Sequence, residues 1–357
     1  MPLVKTVFGK ERMRARHTPA DARRQHEQAP GPARRRARRS LPRTGRALAK
    51  AALLVAIALS TVGCSGGAQG LGSGDAGDTG GQTSGPAFAR PDLALSPFNA
   101  EAALDCNGAL IDTSHLAQGY VAVSATSPSR LKFQVASDDG NLVYNFDLPG
   151  DGTPISCPLT MGDGSYTFTV WENTSGQSYV SLGEAPSQQV SLADEFQPFI
   201  RPSTYCDYNA QSKSTQLANE LCADAQNQGD ALRAIYSWIV DNVAYDEGKA
   251  AQLANATGYV PSPDATIDAG SGICFDYASL AAAMLRSQGI PCKIITGYVS
   301  PDNIYHAWNM VYIDGTWVDA RIDVKQGTWT RIDTTFAAGS GSSYVGDGAS
   351  YTDQYTY

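Results

Sequence analysis

The sequence predicts an α+β fold in which a small all-β sandwich precedes a domain of helices and antiparallel strands. Three observations predict it. Residues 95–190 are short stretches of alternating polarity broken by Asp139-Gly140, Asp151-Gly152 and Asp163-Gly164, which are hairpin turn dipeptides. Residues 229–243 put Leu232, Ile235, Trp238, Ile239 and Val243 on one stripe, the spacing of an amphipathic helix. From residue 292 onward strand candidates dominate, and helices grouped ahead of strands make an α+β arrangement.

Residues 1–63 belong to neither domain. Fifteen of the 27 basic residues and three of the 35 acidic ones lie there, followed by an apolar stretch over 47–62 that ends at Gly63-Cys64. A charged start, a short apolar run and small residues at its end describe an export signal. The run is shorter than the roughly 20 apolar residues of a membrane span. Thr61-Val62-Gly63-Cys64 resembles the lipobox of bacterial lipoproteins, departing from it at Thr61, where that motif has Leu. The resemblance implies lipidation at Cys64 and a body exported to the outer face of the bacterial cell membrane. Residues 64–90 begin as a Gly/Ser/Asp-rich stretch that cannot bury a core, a tether expected to be disordered. Beyond the signal the formal charge is near −20, which argues against nucleic acid as a partner and against a surface that hugs anionic lipid.

The next element is the β-sandwich, residues 91–192, with stretches such as 119–123, 131–135 and 165–171 as its strands. Cys106 and Cys157 bracket this region, and Cys206 and Cys222 bracket the segment after it. Local pairing of each couple is the simplest connectivity in an exported protein and predicts two disulfides. The second domain, residues 193–357, opens on a helix carrying Leu217, Leu221 and Ala225, followed by the 229–243 helix and a loop to Gly272. A third helix starts at Cys274, and strands are expected at 294–299, 305–313, 316–324 and 328–336. Cys292 sits at the start of a buried strand, where a free cysteine acts as a small apolar residue. A helix of about 14 residues spans roughly 20 Å, so Cys274 and Cys292 lie beyond disulfide reach. Cys274 is left as a free thiol.

That position suits chemistry. A thiol attacks only as thiolate, and the partial positive charge at a helix N-terminus favours the anion. Amide N–H groups at the same end can hold an oxyanion. A general base is still required, and His306 is the only imidazole in this domain. The segments 272–278 (Gly-Ile-Cys-Phe-Asp-Tyr-Ala), His306-Ala307-Trp308-Asn309 and 329–336 (Trp-Thr-Arg-Ile-Asp-Thr-Thr-Phe) resemble, in order and spacing, the three signature segments of the transglutaminase-like superfamily. The resemblance covers roughly residues 200–357. It implies a papain-related core with Cys at a helix start and His and Asp on neighbouring strands. It further implies that Cys274 attacks an amide or acyl carbonyl, that His306 accepts and returns the proton, and that an aspartate orients His306. The tail 344–357 resembles the closing strand of bacterial members. Met310 departs from the pattern, since many relatives have Glu there.

Two aspartates compete for the third role. A tight turn at Asp314-Gly315 would fold the chain back along the His306 strand and bring Asp323 opposite His306. The family pattern instead points to Asp333, four residues after Trp329 and followed by Thr335-Phe336. The recurrence of Gly-Thr-Trp at 315–317 and 327–329 marks the segment between as an inserted hairpin. Tyr277, Trp308 and Trp317 read as core or cleft-wall aromatics, and Asp276 as a complement to the helix dipole. The resulting expectation is a surface-tethered thiol enzyme acting on peptide or protein amides, by hydrolysis or acyl transfer, with Cys274, His306 and Asp333 as catalytic residues. The competing expectation is a noncatalytic binding lipoprotein that keeps the fold as a scaffold. No cofactor is implied. One histidine and one free cysteine do not make a zinc set, while the acidic loops leave calcium open.

Overall fold

The computed structural model describes residues 81–357 apart from 139, 141, 255, 301–302, 319–321 and 341–350. The signal segment 1–63, Cys64 and most of the tether lie outside the described residues. The tether's last part is not the disordered stretch that its composition suggested. Gln82–Ser84 forms β1, with Thr83 Oγ1 donating to Asp230 at 2.7 Å and the Phe88 N–H donating to the Gln226 carbonyl at 2.8 Å. Backbone pairing and a partly buried phenyl ring packed against the core outweigh the chain's glycine content here.

The β-sandwich is two four-stranded antiparallel sheets. The first, in the order β2-β3-β4-β7, uses β2 (Leu104–Cys106), β3 (Ala109–Asp112), β4 (Tyr120–Ser124) and β7 (Ile155–Pro158). The second, in the order β6-β5-β8-β9, uses β5 (Leu131–Ser137), β6 (Val143–Leu148), β8 (Gly164–Ser175) and β9 (Ser178–Val190). In β6 every second residue is buried, the alternation that a strand with one face in the core must show.

The second domain begins with α1 (Lys213–Leu221) and α2 (Gln228–Asn242). The region read as a loop holds β10 (Ala244–Tyr245), α3 (Glu247–Leu253), α4 (Pro263–Ala269) and β11 (Ser271–Gly272). Two-turn helices are too short for periodicity to reveal. Their caps make them: the Asp246 carboxylate accepts the Lys249 N–H, Ser262 accepts the Ala265 N–H, and Pro263 opens α4,. Next comes α5 (Cys274–Ser287), with the predicted bounds and every residue after Cys274 buried. A helix enclosed all round is apolar over most of its surface, its buried Asp276, Ser279, Arg286 and Ser287 being hydrogen-bonded, and Ala281-Ala282-Ala283 lets neighbours approach closely. The chain leaves α5 through Gly289 at φ 75°, the left-handed geometry that glycine tolerates.

A four-stranded antiparallel sheet in the order β16-β13-β12-β17 packs on α5. It comprises β12 (Cys292–Val299), β13 (Ile304–Val311), β16 (Thr330–Ile332) and β17 (Tyr351–Thr356). The hairpin of β14 (Thr316–Val318) and β15 (Asp323–Val324) lies outside this sheet and pairs with β1. The strand expected over 328–336 stops at Ile332, and α6 (Thr334–Ser340) follows, because the Asp333 carboxylate accepts the Phe336 N–H at 3.1 Å and starts a helix,.

Neither predicted disulfide forms: Cys106, Cys157, Cys206 and Cys222 are all free thiols. Cys106 and Cys157 sit on the two outer strands of one sheet, about 14 Å apart at ordinary strand spacing, and a bridge needs Cα atoms within about 7 Å. Helix α1 carries Cys222 away from Cys206, and its sulfur faces the Ala231 carbonyl at 3.8 Å.

The two domains share one hydrophobic core. Its seam is aromatic: Phe146 of the sandwich lies 5.6 Å from Tyr205 and 6.0 Å from Tyr357, and Tyr205 lies 5.2 Å from Phe275, the residue after Cys274. Arg286 ties the periphery of this core together. Its guanidinium, 1% exposed, donates to the carbonyls of Cys292, Arg201 and Tyr357 at 2.8–3.0 Å. Replacing Arg286 by Leu removes the guanidinium donor from the Cys292 and Arg201 carbonyls and one of two donors from Tyr357, so urea unfolding should show a loss of about 3–5 kcal/mol. A loss below about 1 kcal/mol would mean that these bonds contribute little to stability.

Candidate active site

Gly272 and Ile273 set the angle at which the chain enters α5. A side chain at Gly272 would meet Asp276 Cβ at 2.6 Å, so the turn ahead of the thiol requires glycine. The Asp276 carboxylate reaches back to accept the Ile273 N–H at 2.8 Å, fixing the peptide immediately before Cys274. The Cys274 N–H is then one of the first amides of the helix, a group without an intrahelical acceptor. Cys274 is partly exposed, whereas Cys157, Cys206 and Cys292 are fully enclosed. Burial pushes the thiols of Cys206, Cys222 and Cys292 up to about 12 and that of Cys157 well above its ordinary value. These four stay protonated at neutral pH.

His306 stands on β13 opposite Gly297, and its ring is 5% exposed. Its Nε2 lies 2.8 Å from Asp333 Oδ2, and Cys274 is near enough to act on the ring electrostatically. Asp333, 2% exposed, is in turn held by the Tyr351 hydroxyl at 3.0 Å and the Phe336 N–H at 3.1 Å. Phe336 stacks on the imidazole at 4.3 Å, and Trp308 flanks it at 6.2 Å. Burial alone would lower the pKa of His306. The Asp333 carboxylate and the thiol outweigh it, and the imidazole is raised to about 10. The imidazolium is thus the form present at neutral pH, with a thiol beside it. Such an arrangement can hold a thiolate–imidazolium pair and deliver a proton to a leaving group.

The structure therefore brings Cys274, His306 and Asp333 together and leaves Asp323 out. The chain does turn at Asp314-Gly315, but β14 pairs with β1 and β15, and the place beside β13 goes to β16, with Asn309 opposite Ile332. Asp323 is exposed and pairs with Lys325 at 3.4 Å. Tyr277 and Trp317 are core residues: the Tyr277 hydroxyl donates to the Val243 carbonyl, and Trp317 packs edge-on against Tyr236 at 5.2 Å. Met310 packs against the cluster of Ile295, Val299 and Trp308. Sequence reasoning missed Tyr351, whose only signal was its place in a tail read as a closing strand. It also missed the role of Lys249 and Tyr259, which meet Asp276. Among the described residues no group of three or more His, Cys, Asp or Glu stands where it could hold a metal ion.

Residues 215–322 match the transglutaminase-like superfamily, a segment that contains Cys274 and His306 and ends before Asp333. The chain carries a transglutaminase-like domain. It is 28% identical over 138 residues to human kyphoscoliosis peptidase, covering 36% of this chain and 20% of that protein. An uncharacterized Mycobacterium leprae protein is 23% identical over 202 residues, 54% of this chain and 66% of that one. This chain thus spans about a fifth of the length of the peptidase it matches. Among solved structures, the periplasmic domain of TgpA from Pseudomonas aeruginosa is similar at 16% identity and a TM-score of 0.29, covering 72% of this chain and 83% of that one.

The raised pKa of His306 has a consequence with a definite sign. The folded ring binds its proton more tightly than a free imidazole, whose value is 6.5. Its contribution to stability is complete below about 6.5 and is lost as pH rises through about 10,. NMR titration of the imidazole should place its midpoint near 10, and Asp333→Asn should move it down by at least one unit. Asp323→Asn should not move it. The reverse pattern would put Asp323 in the site.

Proposed function

We propose that this protein is a surface-tethered thiol enzyme that cleaves or transfers amide acyl groups of peptides or proteins through Cys274, His306 and Asp333. The observation that carries the reading is the buried His306 ring, pinned by Asp333 at Nε2 and electrostatically coupled to Cys274. The Cys274 sulfur, its proton held by His306 in a thiolate–imidazolium pair, attacks the carbonyl carbon of the substrate amide, and the electron pair moves onto the carbonyl oxygen. The Cys274 N–H is placed to stabilise that oxygen. The tetrahedral adduct collapses as the C–N bond breaks, and the departing nitrogen takes the proton that His306 holds. The acyl group is then bound to sulfur as a thioester. Water or an amine, deprotonated by His306, attacks the thioester and regenerates the thiol. With water the outcome is hydrolysis, and with an amine it is transfer. Asp333 keeps the ring in the orientation that serves both half-reactions.

Similarity to kyphoscoliosis peptidase supports the choice of an amide substrate. The composition of residues 1–63 supports export, and the lipobox-like Thr61-Val62-Gly63-Cys64 supports anchoring at Cys64 to the outer face of the cell membrane. Incubation of residues 65–357 with a peptide library, with and without a primary amine, tests the activity by mass spectrometry. Cleavage, deamidation or amine incorporation is expected, lost by orders of magnitude in Cys274→Ala. Absence of all three products, or their persistence in Cys274→Ala, would refute the reading. Labelling of the full chain in cells with a fatty acid tests the anchor. Cys64→Ser should abolish incorporation, and unchanged labelling would remove Cys64 from that role.

A further inference from the structure

The Asp276 carboxylate is fully buried and lies outside the His306–Asp333 pair. Its Oδ2 accepts the Ile273 N–H at 2.8 Å and the Lys249 ammonium at 2.7 Å, and its Oδ1 accepts the Tyr259 hydroxyl. The Lys249 ammonium also stands 4.9 Å from the centre of the Tyr259 ring. Three segments thus converge on one carboxylate: α3, the stretch between α3 and α4, and the first turn of α5.

The bond to the Ile273 N–H puts this carboxylate one peptide from Cys274. Such a placement has two opposed effects. It holds the Ile273–Cys274 peptide rigid, which orients the thiol and the Cys274 N–H. It also sets a negative charge beside a sulfur that must become negative, and in a water-poor environment like charges repel strongly. Other groups do not cancel that charge. The Tyr245 and Tyr305 phenols, electrostatic neighbours of the thiol, have pKa values raised above the ordinary phenol value and stay neutral, and Glu247, a neighbour of Tyr245, is itself an acid. His306 is already engaged with Asp333. Lys249 is the cation in contact with Asp276, and the Asp276 side chain is 1% exposed in that pair.

We propose that Lys249 is a positioning residue for the thiol chemistry, its ammonium offsetting the Asp276 charge beside Cys274 while Asp276 fixes the peptide that orients the nucleophile. This inference rests on Cys274 being the nucleophile, and alkylation separates the two ideas because it needs no substrate. The rate of iodoacetamide labelling at Cys274 is measured by peptide mapping across pH 5–10, with folding verified by thermal melts.

Lys249→Met should slow labelling at neutral pH about tenfold, the size expected of one uncompensated charge nearby, and the gap should close in alkaline buffer. Lys249→Arg should restore the rate. Asp276→Asn keeps an acceptor for the Ile273 N–H but removes the charge, so labelling at neutral pH should become faster than in the wild type. The double variant should return close to the wild-type rate. A merely structural network predicts a different pattern, with Asp276→Asn slow like Lys249→Met and no dependence on pH. That pattern, or an unchanged rate in Lys249→Met, would overturn the proposal. If Lys249→Met fails to fold, the direction of the Asp276→Asn effect decides. Failure of the wild-type Cys274 to react at all would instead overturn the nucleophile assignment.

Discussion

Enclosure of α5 is the constraint on which the rest of the structure depends. A helix with solvent on one side can tilt or slide at modest cost, but one packed on all sides cannot move without opening voids. Cys274 is the first residue of that helix, at the point where the buried segment meets the surface. Its neighbour Phe275 is clasped by Tyr205, and Tyr205 by Phe146 and Tyr357. The β-sandwich therefore acts on the site without supplying any of its reactive groups. It closes the core that holds still the helix on which Cys274 stands, and a nucleophile so held, as proposed for Cys274, needs little rearrangement before attack.

The second organising feature is the treatment of buried charge. An isolated carboxylate in a protein interior is costly, yet two sit within one helical turn or one hydrogen bond of the reacting pair. Each is matched in the same way, by a cation, by a tyrosine hydroxyl and by a backbone N–H that begins a helix. For Asp333 these are His306, Tyr351 and the Phe336 amide. For Asp276 they are Lys249, Tyr259 and the Ile273 amide. Both carboxylates thus spend one oxygen on folding their own segment while serving the chemistry. That double use explains why Asp333 stands at a strand-to-helix junction rather than in mid-strand.

How far the sequence revealed this depended on the range of the forces involved. The bounds of α5 were legible because Cys274, Gly289 and the apolar run are local signals, and the segments around Cys274, His306 and Trp329 carried the site by their order. The choice between Asp323 and Asp333 was open to local geometry, because a tight turn states where a chain reverses but not which strand it then joins. That choice was made by β1, which arrives from residues 82–84 to pair with β14. The two-turn helices α3 and α4 were invisible to periodicity, so Lys249 and Tyr259 could not be placed near Asp276. Disulfides inferred from spacing failed for the same reason. Proximity along the chain does not survive a helix or a sheet lying in between.

Strand β17 braces the His306–Asp333 pair from the edge of the sheet. Tyr351 supplies a donor to Asp333 from β17, and β17 pairs with β12 across more than fifty residues of chain. Contacts of long sequence separation form late in folding, because loop closure must be met before they can stabilise the chain. Until β17 docks, Asp333 lacks its tyrosine donor and the sheet lacks an edge strand. A state in which β17 has frayed therefore keeps the His306–Asp333 contact and loses the hydroxyl that braces it.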